Sequence, residues 1–247
     1  MLNIGLQLVA WVRQKQTQNA DTVDIAWTLG IIANACLFVW LIPTATVNRV
    51  MVLLFPLLWY LRLLGHLVLR YDVAHEDGRY QHLRAHWSEH TQLKFLIFFM
   101  FQALLSLLFS LTAYWVLKAP PIDLVSAIVA GLIGITALVG VSIADRQLMY
   151  FKRHRNRKSV CDVGLWRYSR HPNYFFEWVH WLVYPILLWQ TAYFWWAVVV
   201  MFLMLVFLTQ LTGIPYSERQ ALKSRGSTYR LYMKKTSPFV LWRPKND

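Results

Sequence analysis

Apolar runs at about 23–42, 48–69, 95–117, 122–144, 174–189 and 191–212 leave this chain few ways to fold. All but 174–189, which is shorter, reach the roughly 20 residues that a helix needs to cross the hydrocarbon of a bilayer. No strand pattern is visible, so the expected fold is all-α, a polytopic integral membrane protein. The stretch 2–12 is shorter and adds a partial seventh span. Pro43 ends one run, and Pro120-Pro121 breaks the chain between two others. Of the 247 residues 57% are hydrophobic and 15% charged, against about 25% charged in an ordinary soluble protein. One membrane domain, 1–247, uses the whole length.

The net charge of +13 is explained by where the cations fall. Segments 13–22, 70–94, 146–173 and 213–247 carry 2, 4, 8 and 8 Lys plus Arg, which is 22 of the 25. The positive-inside bias places these four segments in the cytoplasm. The N-terminus is then outside, the C-terminus inside, and about seven helices cross. Much of the charge is therefore topogenic and lipid-facing, and no nucleic-acid partner is expected. A bacterial inner membrane and an endoplasmic-reticulum-like membrane both fit this bias, and the bacterial inner membrane is the preferred expectation. Cys36 and Cys161 lie far apart and form no disulfide framework or zinc spacing. The start, MLNIGLQLVAWVRQK, lacks a basic region ahead of its apolar run, so a removable signal peptide is not expected.

Asp24, Arg62, Asp145 and Glu177 fall within or at the edges of apolar spans. Each costs roughly 2.5–3.5 kcal/mol at mid-bilayer, so such groups pair or face a cavity. Asp24 with Arg62 reads as a candidate helix–helix ion pair. Asp145 and Glu177 sit beside dense positive charge near the cytoplasmic mouth, and there a functional reading is favoured. In the segment ADRQLMYFKR at 144–153, Asp145, Leu148 and Lys152 lie near one helix face. Asp145 can accept hydrogen bonds from sugar hydroxyls or an amide, and Lys152 and Arg153 can meet phosphates. Arg155, Arg157 and Lys158 read as a basic flank. The segment GLWRYSRHPNYFFE at 164–177 puts two arginines, a histidine, an asparagine and two tyrosines just ahead of an acid. That cluster suits an anionic ligand.

Two other segments invite plainer readings. His82, His86 and His90 are spaced by four, so on a helix they form a stripe. An interfacial helix is the preferred reading, with no metal site, and Glu76 to Tyr80 reads as a turn with a local ion pair. The segment after the last span, SERQALKSRGSTYRLYMKK, reads as an interfacial amphipathic stretch with Tyr229 and Tyr232 on one face.

EDGRY at 76–80, ADRQLMYFK at 144–152, GLWRYSRHPNYFFE at 164–177, GIPYSERQ at 213–220 and YRLY at 229–232 carry a resemblance over most of the chain. The chain resembles the DUF1295-type family of prokaryotic membrane proteins related to steroid 5-alpha-reductases. That family falls within the superfamily of sterol reductases and isoprenylcysteine carboxyl methyltransferases. The resemblance implies substrate-side helices over 1–94 and cofactor-binding helices and cytoplasmic loops over 95–247. It implies hydride transfer from NADPH to a carbon–carbon double bond conjugated to a carbonyl, in a small lipophilic substrate taken from the bilayer. Asp145 and Lys152 would hold the cofactor from one wall, and Tyr168, Arg170, His171, Asn173 and Tyr174 from the connecting loop. Glu177 would anchor the nicotinamide end, and Arg219, Tyr229 and Tyr232 would close over the adenosine or phosphate end. A donor is also needed for the enolate oxygen.

The match departs on the substrate side. The reductases bind the ketone with a Gln-Glu pair on an early helix and a Tyr on the next. Segment 22–42 has no such pair and offers Asp24 and Asn34, while Tyr60 is the nearest candidate donor. The substrate is then a steroid-like or other isoprenoid lipid. No GxGxxG motif is present, which excludes a Rossmann unit. Two further readings compete: an S-adenosylmethionine-dependent membrane methyltransferase, and a non-catalytic lipid-binding membrane protein.

Overall fold

The computed structural model describes residues 1–154 and 159–245; Arg155, Arg157 and Lys158 lie outside the described residues. Twelve α-helices are found among them: α1 Leu2–Thr17, α2 Thr22–Leu41, α3 Thr46–Val52, α4 Leu58–Arg70, α5 Gly78–His86, α6 Thr91–Lys118, α7 Leu124–His154, α8 Pro172–Trp181, α9 Val183–Leu187, α10 Phe194–Val206, α11 Ile214–Arg225 and α12 Ser227–Lys235. Among the described residues the ladder contact is a single isolated parallel bridge, Ser169 to Ser237. The chain is all-α, as expected. Wide π-turns at Leu53–Leu57, containing Pro56, and at Phe207–Leu211 join α3 to α4 and extend α10. Five helical stretches are long and apolar enough to cross a membrane: Thr22–Leu41, Thr46–Arg70, Thr91–Lys118, Leu124–His154 and Phe194–Arg225. The chain is an integral membrane protein by this measure. α1, and α8 with α9, are shorter. The chain divides into two compact units, Met1–Ile122 and Asp123–Asp247.

In the first unit α1, α2 and α6 pack together. α1 is patterned inside out. Asn3, Gln7 and Gln14 are buried, while Leu8, Val9 and Val12 are exposed. Lipid contact rewards that inversion, and interhelical hydrogen bonds use the polar stripe. Asn34 donates to Asn3 Oδ1 at 3.2 Å and to Ser110 Oγ at 3.0 Å. Asn48 closes the end of α6, donating to the carbonyls of Val116, Ala119 and Pro120 and accepting from Ile122 N–H.

EDGRY does more than turn the chain. Asp24 accepts from Arg79 and from the Tyr80 hydroxyl, both at 2.9 Å, so its partners are these rather than Arg62. Glu76 accepts from Ala20 N–H at 2.7 Å, and Asp21 accepts from Asp77 N–H at 2.9 Å. The motif docks α5 onto the start of α2. The expected histidine stripe does not form: His82 and His86 stack on α5, but the helix ends at His86, and His90 lies beyond it with φ 52°.

In the second unit α7 packs most closely on α8. α7 buries small residues (Ala127, Ala130, Gly134, Ala137, Gly140, Ala144) and exposes large ones such as Leu132, Ile135 and Val139. Small inward residues let helix backbones approach within lipid. At Gly140 the approach is obligatory, because a Cβ there would come within 2.4 Å of the Phe176 ring on α8. From Leu124 to Asp145 the helix rises about 32 Å, the thickness of the hydrocarbon layer, ~30 Å. The whole of α7, 31 residues, is therefore longer than that layer is thick.

Candidate functional site

The second unit gathers most of the candidate residues around the loop between α7 and α8. Gly164 has φ +58° and sits so close to Gln147 that a Cβ would meet the amide at 2.2 Å. Gln147 Oε1 accepts from Leu165 N–H at 3.0 Å, and the Trp166 indole donates to the Ala144 carbonyl at 2.9 Å. These contacts pin the loop to α7. Pro172 then starts α8 at its first position, where its missing N–H costs nothing.

Asn173 stands at the head of α8 and donates to Asp145 Oδ1 at 3.4 Å. The side-chain oxygen of Asn173 also accepts from Tyr174 N–H at 3.0 Å. His171 lies nearly parallel to the Tyr174 ring, with centroids 5.4 Å apart. Glu177 is one turn further along α8 on the side of Asn173 and is half-buried. Lys152, two turns beyond Asp145 on α7, is exposed. Tyr168 is exposed, and its carbonyl accepts from Trp242 N–H at 3.0 Å. Arg219 is exposed, its Nε donating to Pro215 O at 3.1 Å.

Arg170 and the two tyrosines are placed differently from a ligand-facing rim. Arg170 is only 8% exposed. Its Nε donates to Glu218 Oε1 at 2.6 Å, and Nη1 donates to the carbonyls of Met233 and Thr236 at 3.0 and 2.7 Å. His171 Nε2 lies 3.3 Å from the same Glu218 oxygen. Burial depresses the His171 pKa, and the carboxylate of Glu218 only partly offsets that. Tyr229 and Tyr232 are buried, with ring centroids 5.8 Å apart. Tyr232 donates to the carbonyl of Trp166, and at 3.3 Å to that of Ser169. They bolt α12 to the loop and do not form an interfacial aromatic belt. Burial pushes both phenols well above their usual range, so they stay protonated donors.

Glu218 and Gln147 are the site residues that the sequence reading did not single out as part of the site. For Glu218 a signal existed: it is the only acid in residues 213–245, among eight Lys and Arg. Tyr60, on α4, belongs to the first unit. It is 1% exposed and packs edge-on against Trp27, with centroids 5.7 Å apart. Asn34 and Asp24, the other groups offered by the first unit, are engaged by the chain's own partners. Among the described residues no group of three or more His, Cys, Asp or Glu is arranged to hold a metal ion.

The family described as "Protein of unknown function (DUF1295)" matches residues 10–236, and the chain belongs to it. No curated protein and no solved structure matches the chain.

Proposed function

We propose that this member of the family is a membrane-embedded reductase. It would use NADPH to saturate a carbon–carbon double bond conjugated to a carbonyl in a steroid-like or other isoprenoid lipid. The finer topology belongs to the same proposal: seven crossings, with α1 and the α8–α9 pair as the short ones. The N-terminus is outside and the C-terminus in the cytoplasm, most simply of a bacterial inner membrane. The inverted patterning of α1 supports counting it, since leucine and valine facing outward suit lipid.

One observation carries the cofactor reading. Asn173 and Asp145, 28 residues apart in sequence, meet at 3.4 Å beside the polar end of α7. An amide and a carboxylate at that level can take the hydroxyls and carboxamide of a dinucleotide. Lys152 and Arg219, both exposed, are suited to its anionic end. Glu177, one turn deeper than Asn173, is suited to the nicotinamide end. Arg170 is committed to Glu218 and two carbonyls, so its part is to hold the loop in shape. Tyr229 and Tyr232 act in the same way. NADPH supplies the hydride when bound; the chain's residues bind and orient it. The role of Tyr60 as donor to the substrate carbonyl rests on the resemblance alone.

The test is NADPH binding by the purified protein. Asp145→Ala and Asn173→Ala are each expected to abolish it. NADPH affinity unaltered by either change would end the assignment.

A further inference from the structure

Residues 237–245 lie beyond the family match, which ends at residue 236. They are nevertheless tied to the loop that carries His171 and Asn173. Ser237 forms the parallel bridge with Ser169. The Arg170 N–H donates to Ser237 O at 2.8 Å, and the Trp242 N–H donates to Tyr168 O at 3.0 Å. Ser169 Oγ donates to Phe239 O at 2.7 Å and accepts from His171 N–H at 3.1 Å. The Phe239 ring packs 5.7 Å from Phe175 and 6.0 Å from Trp178, both on α8. Lys245 N–H returns to Lys235 O at 2.9 Å, which closes the segment back on α12.

We propose that residues 237–242 are a positioning strap for the cofactor loop. Their main chain pairs with residues 168–170, and Phe239 wedges against α8, so together they fix His171 and Asn173 before the cofactor arrives. This inference rests on the cofactor reading above. A loop already ordered loses little conformational freedom on binding, whereas a loose one must be ordered at the expense of affinity. The packing of α7 on α8 does not use the strap: Gly140 against Phe176 and the Gln147 and Trp166 contacts all lie outside it. Loss of the strap should therefore loosen the loop and leave the helices in place. Arg170 keeps both of its carbonyl acceptors if the chain stops at Thr236, because they belong to Met233 and Thr236.

The experiment is calorimetric titration of NADPH into the full chain, a variant ending at Thr236, Phe239→Ala and Phe239→Tyr. The truncation and Phe239→Ala are expected to weaken binding by at least ~10-fold, with Phe239→Tyr restoring it to within ~2-fold. Thermal unfolding midpoints should fall by no more than a few degrees, and hydrogen exchange at the Arg170 amide should accelerate in the weakened variants. If the truncation does not fold, Phe239→Ala decides. Full-length affinity in Phe239→Ala overturns the strap and leaves the cofactor reading intact. No NADPH affinity in the full chain overturns both.

Discussion

Glu218 shows how far a single side chain can organise this site. One oxygen accepts from Arg170 at 2.6 Å and lies 3.3 Å from His171. Replacing it with leucine leaves a buried guanidinium without its counter-charge, which costs about 3–5 kcal/mol. The low end is expected, because two carbonyls still accept from Nη1. Chemical denaturation of Glu218→Leu in detergent checks this, and a cost near zero would mean that the pair is unimportant. His171 gives a pH signature. Its pKa is depressed in the fold by burial, so the unfolded chain binds the proton more readily. Its contribution to stability is complete above the unfolded pKa of about 6.5 and is lost as pH falls through the folded value. In His171→Phe that part of the acid-side slope should vanish. The sequence exposed the Arg-His-Asn cluster plainly but hid its internal partner. An acid among eight basic residues reads as solvated until its neighbours are known, and no local spacing links residue 218 to residue 170.

At the scale of elements, five of the six apolar runs predicted long helices because lipid imposes length and hydropathy together, whereas the sixth, 174–189, folds as the short α8 and α9. α7 runs about ten residues past the expected end at 144, since its polar continuation is helical too. Hydropathy alone cannot register that. EDGRY read as a local turn because its partners, Asp24 and Ala20, are more than fifty residues away in sequence. The α7–α8 contact yields a sharp prediction. Gly140→Leu drives a side chain into Phe176, and overpacking of this kind costs about 1–3 kcal/mol. Adding Phe176→Ala should recover part of that loss, with a coupling above ~0.5 kcal/mol in a double-mutant cycle. Additive losses would show that the two side chains do not meet.

For the whole molecule, the bias of 22 of 25 Lys and Arg to four segments was legible in the sequence and predicts one orientation. With Cys36 and Cys161 replaced, Pro120→Cys should react with an impermeant maleimide on intact cells. Ser227→Cys should react only after the membrane is opened. The reverse pattern would invert the topology. What the sequence could not provide was the division of labour among the cations of the second unit: which are buried holding the loop and which stay exposed. Burial separates Arg170 from the exposed Lys152 and Arg219, and burial is a property of the folded chain. The central question is whether the chain binds NADPH, as proposed, or another cofactor, which calorimetry on the purified full chain tests directly. Saturable binding of NADPH, with S-adenosylmethionine bound weakly or not at all, is the predicted result. Preferential binding of S-adenosylmethionine would contradict it and favour the methyltransferase reading instead.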